Sequence, residues 1–137
     1  MLGYLNESMD SLAKGGWFCT GDLVEESDDG YIRIIGRKNE VINFGGEKVF
    51  PIEVESVLME MEMVKDVVVF GMNNAITNQC VAAKIYLNSG YSHCQAKKEI
   101  RNYCRDRLSK YKVPVKIIFT KNIGVTNRCK KSRTITV

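Results

Sequence analysis

The sequence predicts an α+β fold: helices packed on a small mixed sheet, with a β-hairpin segment in front of them. From about residue 41 onward, apolar runs of strand length alternate with stretches of helical periodicity. The first segment, residues 1–36, contains only strand-like and turn-like sequence. From residue 41 the predicted order is two strands, a helix, two strands, a helix and a strand.

The first segment, residues 1–36, has one clear turn pattern. Asp28-Asp29-Gly30 favours a turn, and the sequence YIRII after it is typical of a strand. A segment of this length is too short to bury a hydrophobic core of its own. It is therefore either the end of a larger neighbouring domain or a hairpin that packs on the rest of the chain.

The first predicted helix starts at Pro51, because proline suits the first helical position. Glu53 and Glu55 suit the positive end of the helix dipole. Apolar residues at helical spacing then mark one core-facing side: Val54, Val57, Leu58 and Met61.

The second predicted helix starts at Ser92, where Gln95 three residues later completes a capping-box pattern. Val113-Pro114 is expected to end it. Its apolar face is predicted to hold Ala96, Ile100, Tyr103, Cys104, Leu108 and Tyr111. The sequences VKDVVVFGM, QCVAAKIYL and VKIIF are predicted strands, and the tail NIGVTNRCKKSRTITV is typical of a polar, basic loop.

Composition excludes several classes of protein. The 137 residues suit one domain of ordinary size, and 45% of them are hydrophobic. There is no run of 18 apolar residues and no secretory signal, so we expect a cytoplasmic protein without a membrane span. The five cysteines are odd in number and lack C-x-x-C spacing, which argues against a zinc site and a disulfide framework. No metal site is predicted, and His93-Cys94 lacks an orienting partner that spacing could identify.

Charge is distributed unevenly along the chain. Residues 1–94 carry 7 basic and 14 acidic side chains, whereas residues 95–137 carry 13 basic and 2 acidic. A cationic final third suggests phosphates of a nucleotide, a phosphorylated cofactor or nucleic acid, unless it is only a solvated helix face. Nucleic acid is disfavoured, because Tyr103 and Tyr111 are predicted on the apolar helix face and not on a basic sheet.

Four short motifs follow one another along the chain: GWFCTGD, GRKNEVINFGGEKVFPIEVE, LSKYKVP and NRCKKSR. The first ends in Thr20-Gly21-Asp22, and a carboxylate after a glycine turn can accept hydrogen bonds from the cis diol of a ribose. Alone, each motif is weak. In this order they resemble the C-terminal part of the adenylate-forming superfamily: acyl-CoA synthetases, adenylation domains of peptide synthetases and firefly luciferase. The glycine-rich GGEKVFPIEVE is similar to the acyl-CoA synthetase type.

The resemblance covers essentially the whole chain and implies three parts. Residues 1–36 would be the last strands of a larger N-terminal domain, residues 37–40 a hinge, and residues 41–137 a small C-terminal lid. In this superfamily the large domain carries a phosphate-binding loop and the acyl pocket, and neither is present in this sequence. The chain alone is therefore expected to be inactive, with that large domain as its partner.

The resemblance assigns roles to individual residues. Asp22 matches the aspartate that binds the ribose hydroxyls of ATP, and Arg37 matches an arginine that contacts the nucleotide. Lys130 matches a terminal lysine that touches the carboxylate and the α-phosphate during adenylation. Asn39 falls at the hinge, where aspartate or lysine is usual. Cys129 replaces the usual glycine before the terminal lysine, which makes the neighbouring Lys131 a position to compare.

The resemblance also implies which residues contact the thiol acceptor of the second half-reaction. Gly45 and Gly46 match glycines that line the pantetheine tunnel, and Lys48 in the same loop could meet phosphates of the thiol carrier. The implied ligands are ATP with Mg²⁺, a carboxylic acid, and coenzyme A or the phosphopantetheine of a carrier protein. The alternative is a stand-alone, non-catalytic binding module that keeps this fold.

Overall fold

The computed structural model describes residues 12–13 and 17–123. The chain divides into two compact units, Met1–Asn39 and Glu40–Val137. Lys130, Cys129 and the other residues of 124–137 lie outside the described residues, so their predicted roles rest on sequence alone.

In the described residues of the first unit, the strands form two antiparallel pairs. The short strands β1 (Leu12–Ala13) and β2 (Trp17–Phe18) form one pair, and β3 (Asp22–Glu26) and β4 (Ile32–Arg37) form the other. The predicted Asp28-Asp29-Gly30 turn joins β3 to β4. Val24 lies opposite Ile34, and both side chains remain more than half exposed. This exposed apolar surface fits a segment too short to bury its own core.

Within residues 40–123, the second unit contains one mixed sheet and two α-helices, in the predicted order. Its elements are β5 (Ile42–Phe44), β6 (Glu47–Val49), α1 (Pro51–Met59), β7 (Val64–Asn74), β8 (Asn78–Leu87), α2 (His93–Arg107) and β9 (Lys116–Phe119). Strand β8 is central: it pairs antiparallel with β7, parallel with β9, and with β5 at one end. Strand β6 is an outer strand paired with β5. The predicted α+β fold is confirmed.

Both faces of the sheet are apolar. On one face the helices pack over alternate strand residues, and this main core includes Leu58, Val67, Val69, Ile85 and Ile100. A smaller cluster on the other face contains Val68, Phe70, Ala82 and Ile123. Burial on two faces explains why β7 and β8 are continuous apolar runs in sequence instead of alternating ones.

Helix α1 follows the prediction at its start, but it ends at Met59, so Met61 of the predicted face lies beyond the helix although it is buried. It begins at Pro51, and Val54 and Leu58 are fully buried on its inner face. Glu53 lies in the first turn, as expected. Glu55 has a more specific contact, because its Oε1 accepts a hydrogen bond from the Val69 N–H of β7 at 2.8 Å.

Helix α2 corrects two predictions. It begins after Ser92, but the Ser92 side chain makes no capping hydrogen bond, so the predicted capping box is not formed. The helix also ends at Arg107, well before Val113. Leu108 leaves helical geometry (φ −121°, ψ 149°) while its side chain stays buried in the core. A separate 3₁₀ turn, Lys110–Lys112, comes next and places Tyr111 outside α2.

The cysteines should differ sharply in reactivity. Cys94 is exposed, whereas Cys104 is buried, and this burial raises the pKa of the Cys104 thiol to about 11. At pH 8 about one Cys104 in a thousand would be thiolate, the reactive form. Iodoacetamide should therefore alkylate Cys94 in the native chain and reach Cys104 only after denaturation, as measured by peptide mass mapping. Equal labelling of both cysteines in the native chain would contradict the packing of α2.

Candidate functional site

The first candidate site lies at the open end of the β3–β4 hairpin. Asp22 begins β3 and Arg37 ends β4, and the strand register places them opposite each other. Their side chains form an ion pair with 3.2 Å between Arg37 Nε and Asp22 Oδ1, and both remain partly exposed. Pairing in the sheet thus brings together two residues that the sequence assigned to one nucleotide.

A glycine turn shapes the surface beside this pair. Gly21 has φ +73°, in the region that favours glycine, and its carbonyl accepts a hydrogen bond from the Lys38 N–H at 2.9 Å. A depression of about 510 Å³ is lined by Thr20, Gly21, Arg37, Lys38 and Asn39. The predicted hinge residue therefore borders the same depression as the predicted nucleotide residue Arg37. A carboxylate has two oxygens, so Asp22 can keep Arg37 and still accept from hydroxyl groups.

The second candidate site is the connection between β5 and β6. It has only two residues, Gly45 and Gly46, with φ +56° and +99°. Two successive positive φ values are what a two-residue type I′ hairpin turn requires. Both glycines are exposed, and a Cβ added to either would meet nothing within 4 Å. The turn itself therefore requires glycine, and it presents bare backbone to the surface.

The β7–β8 connection and the start of β8 hold this turn at one end of the sheet. The Gly45 N–H donates to the Thr77 carbonyl at 2.9 Å, and the Asn43 N–H donates to Gln79 Oε1 at 2.8 Å. Lys48 lies on β6 opposite Asn43 and is exposed, as a phosphate-binding role requires. Gly45, Gly46 and Lys48 thus belong to one hairpin of the second unit.

The residues brought together in this way do not form a metal centre. No group of three or more histidine, cysteine, aspartate or glutamate side chains within the described ranges could hold a metal ion. The His93 ring stacks on Phe119 with centroids 4.7 Å apart, and Cys94 is exposed beside it.

Among the described residues, no helix is long and apolar enough to cross a membrane.

A cationic cleft was not predicted as a site. It has a volume of about 480 Å³, and it is lined by Arg101, Arg105, Lys110, Val113, Pro114 and Val115. Arg101 Nη2 donates to the Val115 carbonyl at 2.7 Å, whereas Arg105 and Lys110 have no carboxylate partner in the part of the chain that the structure describes. The i, i+4 spacing of the two arginines on one helix could have indicated a shared face.

A second missed contact joins α1 to the 3₁₀ turn. Lys112 Nζ lies 2.6 Å from Glu53 Oε1 and 2.8 Å from Oε2. The LSKYKVP motif contains Lys112, but the two residues are 59 positions apart in sequence. Only the folded structure reveals their pairing.

Comparison with known proteins gives a consistent result. The model of the family "AMP-binding enzyme C-terminal domain" matches residues 53–130. The 2-succinylbenzoate–CoA ligase of Geobacillus kaustophilus is 41% identical over 106 residues, which cover 77% of this chain and 21% of that protein.

Solved structures show the same similarity. The o-succinylbenzoate CoA synthetase of Bacillus subtilis, solved with its acyl-adenylate intermediate, has a TM-score of 0.80 at 30% identity and covers 88% of this chain. The amide bond synthetase McbA of Marinactinospora thermotolerans has a TM-score of 0.80 at 27% identity and covers 89%. This chain spans 24% of each of these two proteins.

Proposed function

The chain belongs to the AMP-binding enzyme C-terminal domain family, and on that basis we propose that it is the C-terminal part of an ATP-dependent acid–thiol ligase. The observation that carries the proposal is the family match over residues 53–130, a range that extends from α1 to Lys130. The matched relatives include CoA ligases of whose length this chain covers only 21% to 24%. The missing large domain would supply the acyl pocket.

In the first half-reaction, a carboxylate oxygen attacks the α-phosphorus of ATP and pyrophosphate leaves. Asp22 would hold the ribose hydroxyls and Arg37 would contact the nucleotide; their observed ion pair keeps Asp22 beside Arg37, which lines the depression. Lys130 would reduce the repulsion between the two anions and stabilise charge that develops on phosphorus. Mg²⁺ would arrive on the ATP phosphates, because it retains water ligands and needs few protein carboxylates.

In the second half-reaction, a thiol attacks the acyl carbon and AMP leaves. Rotation of the lid about Asn39 would withdraw Lys130 and bring the Gly45–Gly46 turn to the same place. Asparagine tolerates left-handed backbone angles, which suits a pivot. The exposed, side-chain-free backbone of the turn would let a pantetheine arm lie against it.

One assay distinguishes the proposed ligase from the alternative, a non-catalytic binding module of the same fold. The full-length protein should exchange pyrophosphate into ATP only when a suitable carboxylic acid is present. A full-length protein that binds nucleotide but supports no exchange with any acid in a broad panel would favour the binding module.

Lys130→Ala in the full-length ligase should separate the half-reactions. Removal of a charge that stabilises the transition state typically costs about 3–4 kcal/mol, so adenylation should slow by roughly 10²- to 10³-fold. Thioester formation from supplied acyl-adenylate should remain close to wild type. Lys131→Ala is the control and should leave both rates nearly unchanged. An equal loss in both half-reactions of Lys130→Ala would contradict the rotation.

Gly46→Leu should have the opposite effect. A leucine there would project into the proposed path of the pantetheine arm, so thioester formation should fall at least tenfold while adenylation persists. Gly90→Leu is the matched control, because Gly90 has φ +96° against +99° for Gly46, and neither Cβ would meet any atom within 4 Å. Both variants carry similar backbone strain, on the order of 1–2 kcal/mol. Similar thioester rates in the two variants would exclude the turn from the acceptor path.

The cationic cleft gives a test of the acceptor. If Arg105 and Lys110 bind the phosphates of coenzyme A, Arg105→Ser with Lys110→Ser should raise the KM for coenzyme A but not for pantetheine, which lacks phosphates. Lys97→Ser with Lys98→Ser removes the same charge from exposed positions of α2 that do not line the cleft. Equal effects of the two double variants would exclude a specific phosphate site in the cleft and leave only a general electrostatic attraction by the positive charge of the chain.

A further inference from the structure

The β5–β6 hairpin (the acceptor hairpin) is held on its β6 side by the start of α1. Strand β6 pairs only with β5 among the described strands, so the sheet supports it on one edge. Val49, its last residue, is fully buried, and α1 begins at Pro51. The Gly45 N–H bond to Thr77 holds the β5 side of the Gly45–Gly46 turn, so the start of α1 is left to hold the β6 side.

One ion pair fixes that start. Glu53 lies in the first turn of α1, where its own N–H donates to the Phe50 carbonyl at 3.1 Å. Both of its carboxylate oxygens contact Lys112 Nζ, whose side chain is only 18% exposed. The Glu53 side chain is 39% exposed, so it is the low exposure of the lysine and its contact with both oxygens that distinguish this pair from an ordinary surface salt bridge.

The other end of the pair is also fixed. Lys112 closes the 3₁₀ turn by donating its N–H to the Ser109 carbonyl at 2.9 Å, and this turn packs against β6. Two residues later the chain reaches Pro114, whose side chain is fully buried. Lys112 therefore links the residues next to the buried Pro114 to the residues that leave the acceptor hairpin.

We propose that Lys112 is a positioning residue for thioester formation: through Glu53 it fixes the base of the acceptor hairpin and hence the Gly45–Gly46 turn. This inference rests on the proposed function. Lys112 does not need to touch the substrate. Without it, Glu53 would still be stabilised at the positive end of α1, so the fold should persist while the hairpin base loosens.

Kinetics of the full-length ligase test the positioning role. Lys112→Met keeps the length of the side chain and removes its charge; it should raise the KM for the thiol acceptor about tenfold and leave adenylation within twofold. Lys112→Arg should recover most of the loss, because arginine can contact both carboxylate oxygens. Arg107→Met is the control, since it removes the longer and more exposed 3.7 Å pair with Glu60. Equal losses in the two half-reactions, or no rescue by arginine, would overturn the proposal.

Hydrogen exchange on the 137-residue chain tests separately whether the Glu53–Lys112 pair holds the base of the acceptor hairpin. Amides of residues 45–50 should exchange at least several-fold faster in Lys112→Met than in wild type, and should not change in Arg107→Met. Glu53→Gln serves as a second variant if Lys112→Met does not fold. Unchanged exchange would overturn the inference. If the wild-type ligase forms no thioester, the proposed function fails and the positioning role with it, whereas exchange still decides whether the pair holds the hairpin.

Discussion

The two-residue connection between β5 and β6 is the constraint on which the second unit's candidate chemistry depends. A type I′ turn needs positive φ at both positions, and glycine adopts such angles without strain. The consequence is a surface with no side chains, fixed at one end of the sheet by the Gly45 N–H bond to Thr77. The glycine pair that makes the hairpin short therefore also leaves its surface without side chains, as the proposed pantetheine path requires.

The two units divide the candidate chemistry. The first unit holds Asp22 and Arg37 in one strand register, and the second unit holds the glycine turn, Lys48 and the cationic cleft. The first compact unit ends at Asn39, the residue proposed as the pivot. Such a division would suit a protein that brings a lysine to the α-phosphate first and a bare backbone to the acyl carbon second.

Element order and fold class could be predicted because β7 and β8 are buried on both faces and α1 has a clear apolar stripe. The end of α2 could not be predicted from the sequence, because apolar residues at helical spacing continue through Leu108 and Tyr111 although the helix ends at Arg107. The sequence also placed Gly45 and Gly46 at a candidate site, but the turn that requires them emerged only from their φ angles. The Glu53–Lys112 pair joins residues distant in sequence, and local patterns cannot indicate such a contact.

The most direct measurement of the proposed rotation is an energy-transfer distance in the full-length ligase, between a dye on exposed Cys94 of the second unit and a dye on the large domain. We expect one distance with ATP and the carboxylic acid, and a clearly different one with a stable acyl-adenylate analogue and coenzyme A. A single distance, unchanged between the two ligand sets, would contradict a lid that presents Lys130 first and the glycine turn second.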